Sequence, residues 1–255
     1  MKDLFSLKGR VALITGGSRD IGRMIASGYL QHGARVYISA RKAEACDATA
    51  AELSALGPCI SLPADVSTVA GARALAAALA EREPALDILV NNAGAAWGEP
   101  FETFPEKGWD KVMDLNVKSP FFLTQALHGL LCKGAQTRPA KVINVASIDG
   151  ISVNPWETYS YAASKAGLIH LTKRMALRLV QDRIMVSGIA PGAFASEMNK
   201  EARDHGDEVA GRIPAGRIGT DEDMAGVAIY LASRAGDYVV GQTFAVDGGV
   251  TLARG

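Results

Sequence analysis

The sequence lacks both a long hydrophobic run and an excess of charge of either sign. No apolar stretch approaches the roughly 18 residues of a membrane-spanning helix, and the N-terminal residues lack the apolar core of a signal peptide. Lys plus Arg and Asp plus Glu number 27 each, so no net field favours nucleic acid or an anionic membrane. These absences predict a cytoplasmic protein without nucleic-acid or membrane partners.

Cysteine and histidine are also scarce. The three cysteines, Cys46, Cys59 and Cys132, are odd in number and match no disulfide or metal-binding spacing. The four histidines are scattered and show no ligand spacing either. We therefore predict reduced, mostly buried thiols and no metal site.

Short apolar runs alternate with longer segments of helical period along the 255 residues. Runs rich in Val and Ile, without polar alternation, are typical of strands buried on both faces. The alternation predicts a single α/β domain over 1–255, a Rossmann fold whose doubly wound, parallel, seven-stranded sheet has helices on both faces. The predicted strands are 11–14, 35–39, 59–62, 86–91, 141–145, 184–189 and 243–246, and the predicted helices are 22–32, 43–56, 68–81, 106–131, 158–180 and 221–231.

The longest segment without a predicted element is 191–220, which is rich in polar residues and glycine. A loop this long within a compact domain is usually functional. We predict that it forms a lid over the substrate site.

A glycine-rich turn follows the first predicted strand, where residues 15–22 read Thr-Gly-Gly-Ser-Arg-Asp-Ile-Gly. Glycines let the backbone approach a pyrophosphate, and the start of a helix supplies amide donors. The spacing Gly-x5-Gly differs from the Gly-x-Gly-x-x-Gly fingerprint, so a plain strand–turn–helix is the alternative. Its place at the first strand–helix junction favours a dinucleotide site.

The end of the second predicted strand lacks the acid that binds the ribose 2′-hydroxyl in NAD sites. Residues 39–42 read Ser-Ala-Arg-Lys, and the first acid is Glu44. Arg41 and Lys42, joined by Arg19, suit a 2′-phosphate, although they could be ordinary surface cations. The sequence thus predicts NADP(H) as the cofactor.

Tyr161 and Lys165 lie four residues apart on a predicted helix and therefore share a face. An ammonium beside a phenol lowers the phenol pKa, which suits proton transfer to or from a substrate oxygen. A solvated helix face could carry the same pair. Tyr159 lies six residues before Lys165, so it cannot share that face.

Together these residues resemble the short-chain dehydrogenase/reductase family over essentially the whole chain. Within that family the chain is most similar to NADPH-dependent 3-oxoacyl reductases, including the rhamnolipid-associated type. The motifs that carry the resemblance are Thr15-Gly16-x3-Asp20-Ile21-Gly22, Asn91-Asn92-Ala93-Gly94, Asn116, Ser147, Tyr161-x3-Lys165, Pro191-Gly192 and Asp247-Gly248-Gly249.

The resemblance implies the role of each site residue. Tyr161 would be the general acid in reduction and the base in oxidation. Lys165 would bind the nicotinamide ribose, Ser147 the substrate oxygen, and Asn116 a water linked to Lys165. Ser147 could instead cap a turn, and Asn116 could be a buried polar group. The implied cofactor-binding residues are Gly16, Ser18, Arg19, Asp20, Ile21, Arg41, Asp65, Val66, Asn92, Ala93, Gly94, Tyr161, Lys165, Pro191, Gly192, Phe194 and Ser196.

Asp20 departs from the family, which usually has glycine at this position. A carboxylate here would repel a diphosphate. Alternatively, it would cap the first helix by accepting hydrogen bonds from its amides. We favour capping, which leaves the affinity for the cofactor open.

The substrate and partners are implied by resemblance alone. The expected substrate is a small carbonyl compound, in particular a 3-oxoacyl group on acyl carrier protein or coenzyme A. Arg138 would contact the carrier protein. A second cation is expected near position 182, where this chain has Asp182, although Arg183 is adjacent. A homotetramer would use 106–131 with 158–180 at one interface and 247–255 at the other. The candidate pocket residues are Trp97, Asp149, Val153, Trp156, Phe194 and Met198, of which the tryptophans could simply pack the loops.

Two other functions remain open. One is a catabolic alcohol, diol or sugar dehydrogenase on the same fold. The other is a non-enzymatic NADP-binding sensor or scaffold, suggested only by Asp20. The presence of Asn116, Ser147, Tyr161 and Lys165 argues against the second, because a binding module does not need them.

Overall fold

Residues 3–253, which this computed structural model of the protein describes, form a parallel sheet with helices on both faces. The sheet order is β3-β2-β1-β4-β5-β6-β7, where the strands are β1 Val11–Thr15, β2 Arg35–Ser39, β3 Cys59–Ser61, β4 Ile88–Asn91, β5 Ala140–Val145, β6 Ile184–Pro191 and β7 Thr243–Val246. The predicted fold is confirmed, and among the strands the bounds differ most at the start of β4 and the end of β6. The order reverses between β1 and β4, which is where doubly wound sheets bind ligands.

Helices cover the two faces of the sheet with separate cores. Helices 20–31, 43–53 and 221–232 pack on one face, and helices 69–80, 119–134 and 159–179 pack on the other. Among the helices of the described residues, none is long and apolar enough to cross a membrane. The helices are α1 Asp20–Gln31, α2 Ala43–Leu53, α3 Val69–Ala80, α4 Glu106–Met113, α5 Ser119–Gly134, α6 Tyr159–Leu179, α7 Lys200–Asp204, α8 Gly206–Ala210, α9 Asp221–Ala232 and α10 Val250–Ala253.

The prediction of one regular helix over 106–131 is wrong. A π-helical turn, Asp114–Lys118, separates α4 from α5. Pro120 stands in the first turn of α5 and has no N–H to donate to the carbonyl four residues earlier. A wide turn accommodates this lost bond, and such turns are frequent at functional sites. It places Asn116 inside the protein, at 1% exposure.

The segment 191–220 contains the short helices α7 and α8 rather than an irregular loop. Its ends are joined, because Phe194 pairs with Gly219 and its ring fills the space that a side chain at Gly219 would occupy. Thr220 and Asp223 then form a capping box that begins α9. Residues near both ends of the segment are therefore held in place by contacts with each other and with the start of α9.

Candidate active site

The turns that follow β1 and β4 are joined by hydrogen bonds. The Thr15 hydroxyl accepts from the backbone amides of Asn92 and Ala93, each at 3.0 Å. The Asn92 side-chain amide donates to the carbonyls of Thr15 at 2.9 Å and Gly16 at 3.1 Å. The predicted glycine turn and the Asn-Asn-Ala-Gly turn thus form one surface at the reversal of strand order.

The first helix begins directly against this surface because of its glycines. Gly16 has a φ of +65°, and a Cβ at Gly22 would lie 2.2 Å from the Gly16 carbonyl oxygen. Within residues 3–253, no side chain caps the amino end of α1. Its first amides and the positive end of its dipole therefore remain available to an anion. This arrangement fits the diphosphate of a dinucleotide.

The prediction that Asp20 caps α1 is wrong. The N-cap is Arg19, and Asp20 is the first helical residue, with a left-handed φ of +49°. One carboxylate oxygen of Asp20 accepts a hydrogen bond from the N–H of Glu197 at 3.2 Å, and the other lies 3.6 Å from Arg19 Nε. Asp20 therefore links the turn after β1 to the segment after β6.

We expect Asp20→Gly to tighten NADPH binding several-fold. The change removes a negative charge from the start of α1, where the diphosphate is predicted to bind. It also relieves a left-handed backbone, which costs about 1–2 kcal/mol for most residues, and loses one hydrogen bond of about 0.5–1.5 kcal/mol. The free energy of unfolding should consequently change little. Calorimetric titration and urea unfolding measure the two effects.

Asp20→Asn is the matched control, because it removes the charge but keeps an oxygen that can accept from Glu197. Equal tightening in both variants would assign the effect to charge. Tightening in the glycine variant alone would assign it to the loss of the Glu197 contact or of the left-handed backbone rather than to charge. Unchanged affinity in both would contradict the expected repulsion.

Cations line the carboxyl end of β2 as predicted for a 2′-phosphate site. Arg41 and Lys42 are exposed, and Arg41 lies close enough to Asp65 to help lower its pKa, after the larger effect of hydrogen bonds from Ser67. Val66 has its side chain in the core and can meet a ligand only through its backbone. The exposed side chain of Arg19 lies on the neighbouring turn.

Lys165 lies buried between the turn after β4 and the end of β5. Its side chain contacts both segments. Nζ donates to the Val145 carbonyl at 2.8 Å, and a Cβ at Gly94 would be 3.7 Å from Nζ. Nζ also lies 5.5 Å from the centroid of the Tyr161 ring. The structure therefore brings the two predicted residues together on one face of α6.

Asn116 holds the loop after β4 against α6. Its side-chain oxygen accepts from the Ala95 amide at 2.8 Å, and its nitrogen donates to the Ala95 carbonyl at 2.9 Å and to the Ser164 hydroxyl at 3.0 Å. Ser164 was not among the predicted site residues, although its place next to Lys165 in the sequence is a signal that could have indicated it. The proposed water relay through Asn116 remains a prediction.

Ser147 caps a turn, as one of its two considered roles predicts, and its contact with the substrate oxygen remains a prediction. Its oxygen accepts from the Asp149 amide at 3.1 Å and so caps the short 3-10 turn Ile148–Gly150. Gly150 lets this turn touch α6, because a Cβ there would lie 2.6 Å from the Lys165 carbonyl carbon. The turn thereby brings the Ser147 hydroxyl close enough to the Tyr161 phenol to lower the phenol pKa.

The expectation that Lys165 lowers the pKa of Tyr161 is wrong for this structure. Burial raises the pKa of Tyr161 to about 12, although the hydrogen bond from Ser147 acts in the opposite direction. Burial also lowers the pKa of Lys165 to about 8. The ammonium bonds the Val145 carbonyl and lies over the tyrosine ring. Tyr161 is consequently a protonated phenol at neutral pH, the form that a proton donor requires.

We expect kcat/KM for carbonyl reduction to fall as the pH rises through about 8. The Lys165 pKa of about 8 means that its ammonium is charged below this pH and neutral above it. The Tyr161 phenol stays protonated up to its pKa of about 12, so it does not contribute to this loss. Because kcat/KM reports ionisations of the free enzyme, initial rates between about pH 6 and 10 measure the effect.

Lys165→Arg is the control for this pH dependence, since arginine stays charged throughout the range. The variant should be slower but should lose the decline near pH 8. A decline that persists in Lys165→Arg would assign the ionisation to another group.

The predicted pocket residues divide into two groups. Phe194 is only 2% exposed, so its prediction as a residue lining the substrate pocket is wrong. Trp97 is partly buried and packs on Gly108 of α4, with Lys111 Nζ 5.2 Å from its ring, so its place in the substrate pocket remains a prediction. The others are at least partly exposed on loops at the carboxyl edge of the sheet: Asp149, Val153, Trp156 and Met198.

The end of β6 is held against the chain that follows β7. Gly192 donates to the Val246 carbonyl at 2.9 Å, and a Cβ at Gly192 would lie 2.7 Å from the Cα of Asp247. Ser196 is 9% exposed and its oxygen accepts from the Asn199 amide at 2.9 Å. Pro191, which ends β6, thus lies with Gly192 and Ser196 at the carboxyl edge of the sheet.

The predicted carrier-protein residues lie at the opposite edge, where β5 and β6 begin. Arg138 is exposed, and Arg183 donates to the Gln136 carbonyl at 3.1 Å. Asp182 is engaged with His128 and Arg178. Six residues of β5 separate this edge from Ser147, a span of about 20 Å.

Comparison with known proteins agrees with this geometry. The model of a family described as enoyl-(acyl carrier protein) reductase matches residues 16–251. The rhamnolipids biosynthesis 3-oxoacyl-[acyl-carrier-protein] reductase of Pseudomonas aeruginosa is 50% identical over 99% of this chain and 100% of its own length. The 2-dehydro-3-deoxy-D-gluconate 5-dehydrogenase of Escherichia coli is 40% identical over 96% of each chain.

The similar solved structures also include both a protein of rhamnolipid synthesis and a sugar-acid dehydrogenase. The Pseudomonas aeruginosa RhlG/NADP active-site complex has a TM-score of 0.95 and 49% identity, covering 98% of this chain and 100% of that one. A gluconate 5-dehydrogenase from Burkholderia cenocepacia, in complex with NADP and tartrate, has a TM-score of 0.91 and 36% identity over 98% of each chain. The site geometry and these matches show that the chain belongs to the short-chain dehydrogenase/reductase family of oxidoreductases.

Proposed function

We propose that this oxidoreductase uses NADPH to reduce the keto group of a 3-oxoacyl thioester, carried on acyl carrier protein or coenzyme A, to a secondary alcohol. The observation that carries the proposal is the cluster of Ser147, Tyr161 and Lys165 at the carboxyl end of β5. It joins a protonated phenol, a hydroxyl and a buried ammonium beside the predicted cofactor surface. The 50% identity to the Pseudomonas aeruginosa 3-oxoacyl reductase supports the substrate class.

The residues act together on the substrate oxygen. NADPH, when bound, supplies the hydride that the carbonyl carbon accepts. Ser147 holds the carbonyl oxygen, and Tyr161 donates its phenolic proton to that oxygen as negative charge develops there. Lys165 supplies a positive charge nearby, while Asn116 keeps the loop after β4 in place against α6. The products are the secondary alcohol and NADP⁺.

The cofactor is NADP(H). The uncapped start of α1 and the glycine turn suit the diphosphate, and Arg41 with Lys42 suits the 2′-phosphate. The NADP complexes among the similar structures support this choice.

The loops around the cluster favour an acyl substrate over a sugar acid. The segments 94–99, 147–157 and 193–199 contain no Lys or Arg, the residues that bind a substrate carboxylate. They carry several acids instead, which would repel such a group. The same loops expose large apolar side chains, which suits an acyl chain: Ile151 at 50%, Val153 at 90%, Trp156 at 59% and Met198 at 51%.

A substrate panel tests this proposal. Purified enzyme would be assayed with NADPH on 3-oxoacyl thioesters of increasing length, on both carriers, beside 5-keto-D-gluconate and simple ketones. We expect kcat/KM to increase with acyl length, since each buried methylene is worth about 0.8 kcal/mol. A keto sugar acid as the best substrate would instead establish the sugar-acid dehydrogenase function. NADPH binding without turnover of any compound would support the sensor function.

We also propose a homotetramer. The helices of the first predicted interface expose large apolar side chains, which supports this assembly: Trp109 on α4 at 43%, Phe121 on α5 at 39% and Leu177 on α6 at 68%. The second predicted interface, 247–255, is described only to residue 253, and residues 254 and 255 lie outside the described part. Light scattering during size-exclusion chromatography measures the assembly.

A further inference from the structure

Three potential metal ligands meet where α5 and α6 end, away from the catalytic cluster. His128 and Cys132 lie one turn apart on α5, and Asp182 ends the 3-10 turn Val180–Asp182 that follows α6. His128 Nε2 is 2.9 Å from Asp182 Oδ2 and 3.4 Å from Cys132 Sγ. The three ligand atoms lie within 4.8 Å of one another.

The two separations that involve His128 are close to those of a tetrahedral zinc site. Zinc binds imidazole nitrogen and carboxylate oxygen at about 2.0–2.1 Å and thiolate sulfur at about 2.3 Å. Those bond lengths place the nitrogen and oxygen about 3.3 Å apart, and the nitrogen and sulfur about 3.6 Å apart. The observed 2.9 and 3.4 Å are slightly shorter, so small side-chain rotations would open room for an ion.

The surroundings also suit a metal ion. Side chains four residues apart on a helix are a common pair of zinc ligands. Within one protomer, the His128 and Asp182 side chains are 38% and 26% exposed, which leaves room beside them for an ion and a fourth water ligand. Arg178 Nη1 donates to the Asp182 carboxylate at 2.8 Å and can orient it, as outer hydrogen bonds do for metal ligands.

We propose that His128, Cys132 and Asp182 bind a Zn²⁺ ion that joins the C-terminal end of α5 to the turn after α6. A thiolate and a carboxylate together balance the charge of the ion. The site lies apart from Tyr161 and Lys165, which are near the other end of α6, so the ion would stabilise the pair of helices without entering the reaction. The proposal does not depend on the substrate class.

Cobalt and zinc titrations of the tag-free, full-length protein test the site. Co²⁺ should bind with one-to-one stoichiometry and produce the near-ultraviolet thiolate charge-transfer absorption and visible bands of tetrahedral cobalt, which Zn²⁺ then abolishes. Zn²⁺ should also raise the Tm, because it binds the folded protein. Cys132→Ser should lose the charge-transfer absorption. His128→Gln and Asp182→Asn should weaken Zn²⁺ binding by more than about tenfold, since even outer-sphere partners of a metal site are worth about 10- to 100-fold.

Two variants control for other thiols and imidazoles. Cys59→Ala removes a buried thiol, and His170→Gln removes an exposed histidine of α6, so both should keep the cobalt spectrum. Circular dichroism and NADPH binding show that each variant is folded. A parent protein whose Tm and spectrum do not respond to metal would overturn the proposal and leave a hydrogen-bond network only. Parent-like affinity in all three ligand variants would place the ion elsewhere.

Discussion

Replacing Tyr161 by phenylalanine is expected to lower kcat for reduction by at least about 100-fold, because general acid catalysis contributes about 10²–10⁴-fold. The phenol, with a pKa raised to about 12, is the proton donor at neutral pH, and phenylalanine has no proton to give. The dissociation constant of NADPH should stay nearly unchanged, because the ring remains in place. Steady-state rates on the best substrate of the panel and a fluorescence titration with NADPH measure the two quantities.

Tyr159→Phe is the matched control. The Tyr159 hydroxyl bonds Glu157 Oε1 at 3.1 Å, and its ring packs edge-on against Phe101 and Phe104 with centroids 5.7 Å away in each case. It begins α6 and points away from Lys165, so its loss should change kcat by only a few-fold. Near-normal turnover in Tyr161→Phe would show that another group donates the proton.

Replacing Arg41 by alanine is expected to raise the dissociation constant of NADPH by about tenfold or more and to leave that of NADH almost unchanged. A hydrogen bond to a charged group is worth about 1.5–3 kcal/mol, so losing one is sufficient for this effect. Arg41 is exposed at the end of β2, so its loss should not disturb the core. Calorimetric titrations with both cofactors provide the comparison.

Arg138→Ala is the control for a general change in charge, because Arg138 is an exposed arginine at the opposite edge of the sheet. It should leave both affinities unchanged. An equal loss of NADPH and NADH affinity in Arg41→Ala would show that Arg41 does not recognise the 2′-phosphate.

The sequence by itself determined the order of strands and helices, the glycine turn and the pairing of Tyr161 with Lys165. All three are local properties. Strands and helices are predicted from Val- and Ile-rich runs and from helical periods, which involve only residues close together in the sequence. A spacing of four residues places two side chains on one helix face whatever surrounds the helix. The types of residue at the site could therefore be predicted from the sequence, and with them the kind of chemistry.

Only the tertiary structure decided how those groups behave. Asp20 bonds an amide 177 residues away, a contact that the capping pattern around it did not indicate. The direction in which the Tyr161 pKa shifts depends on burial, and the packing of β5, α6 and the adjoining turns determines that burial. Likewise, His128 and Cys132 approach Asp182 only because α5 and α6 end side by side. Long-range contacts and desolvation are properties of packed elements, so spacing along the chain could not specify them.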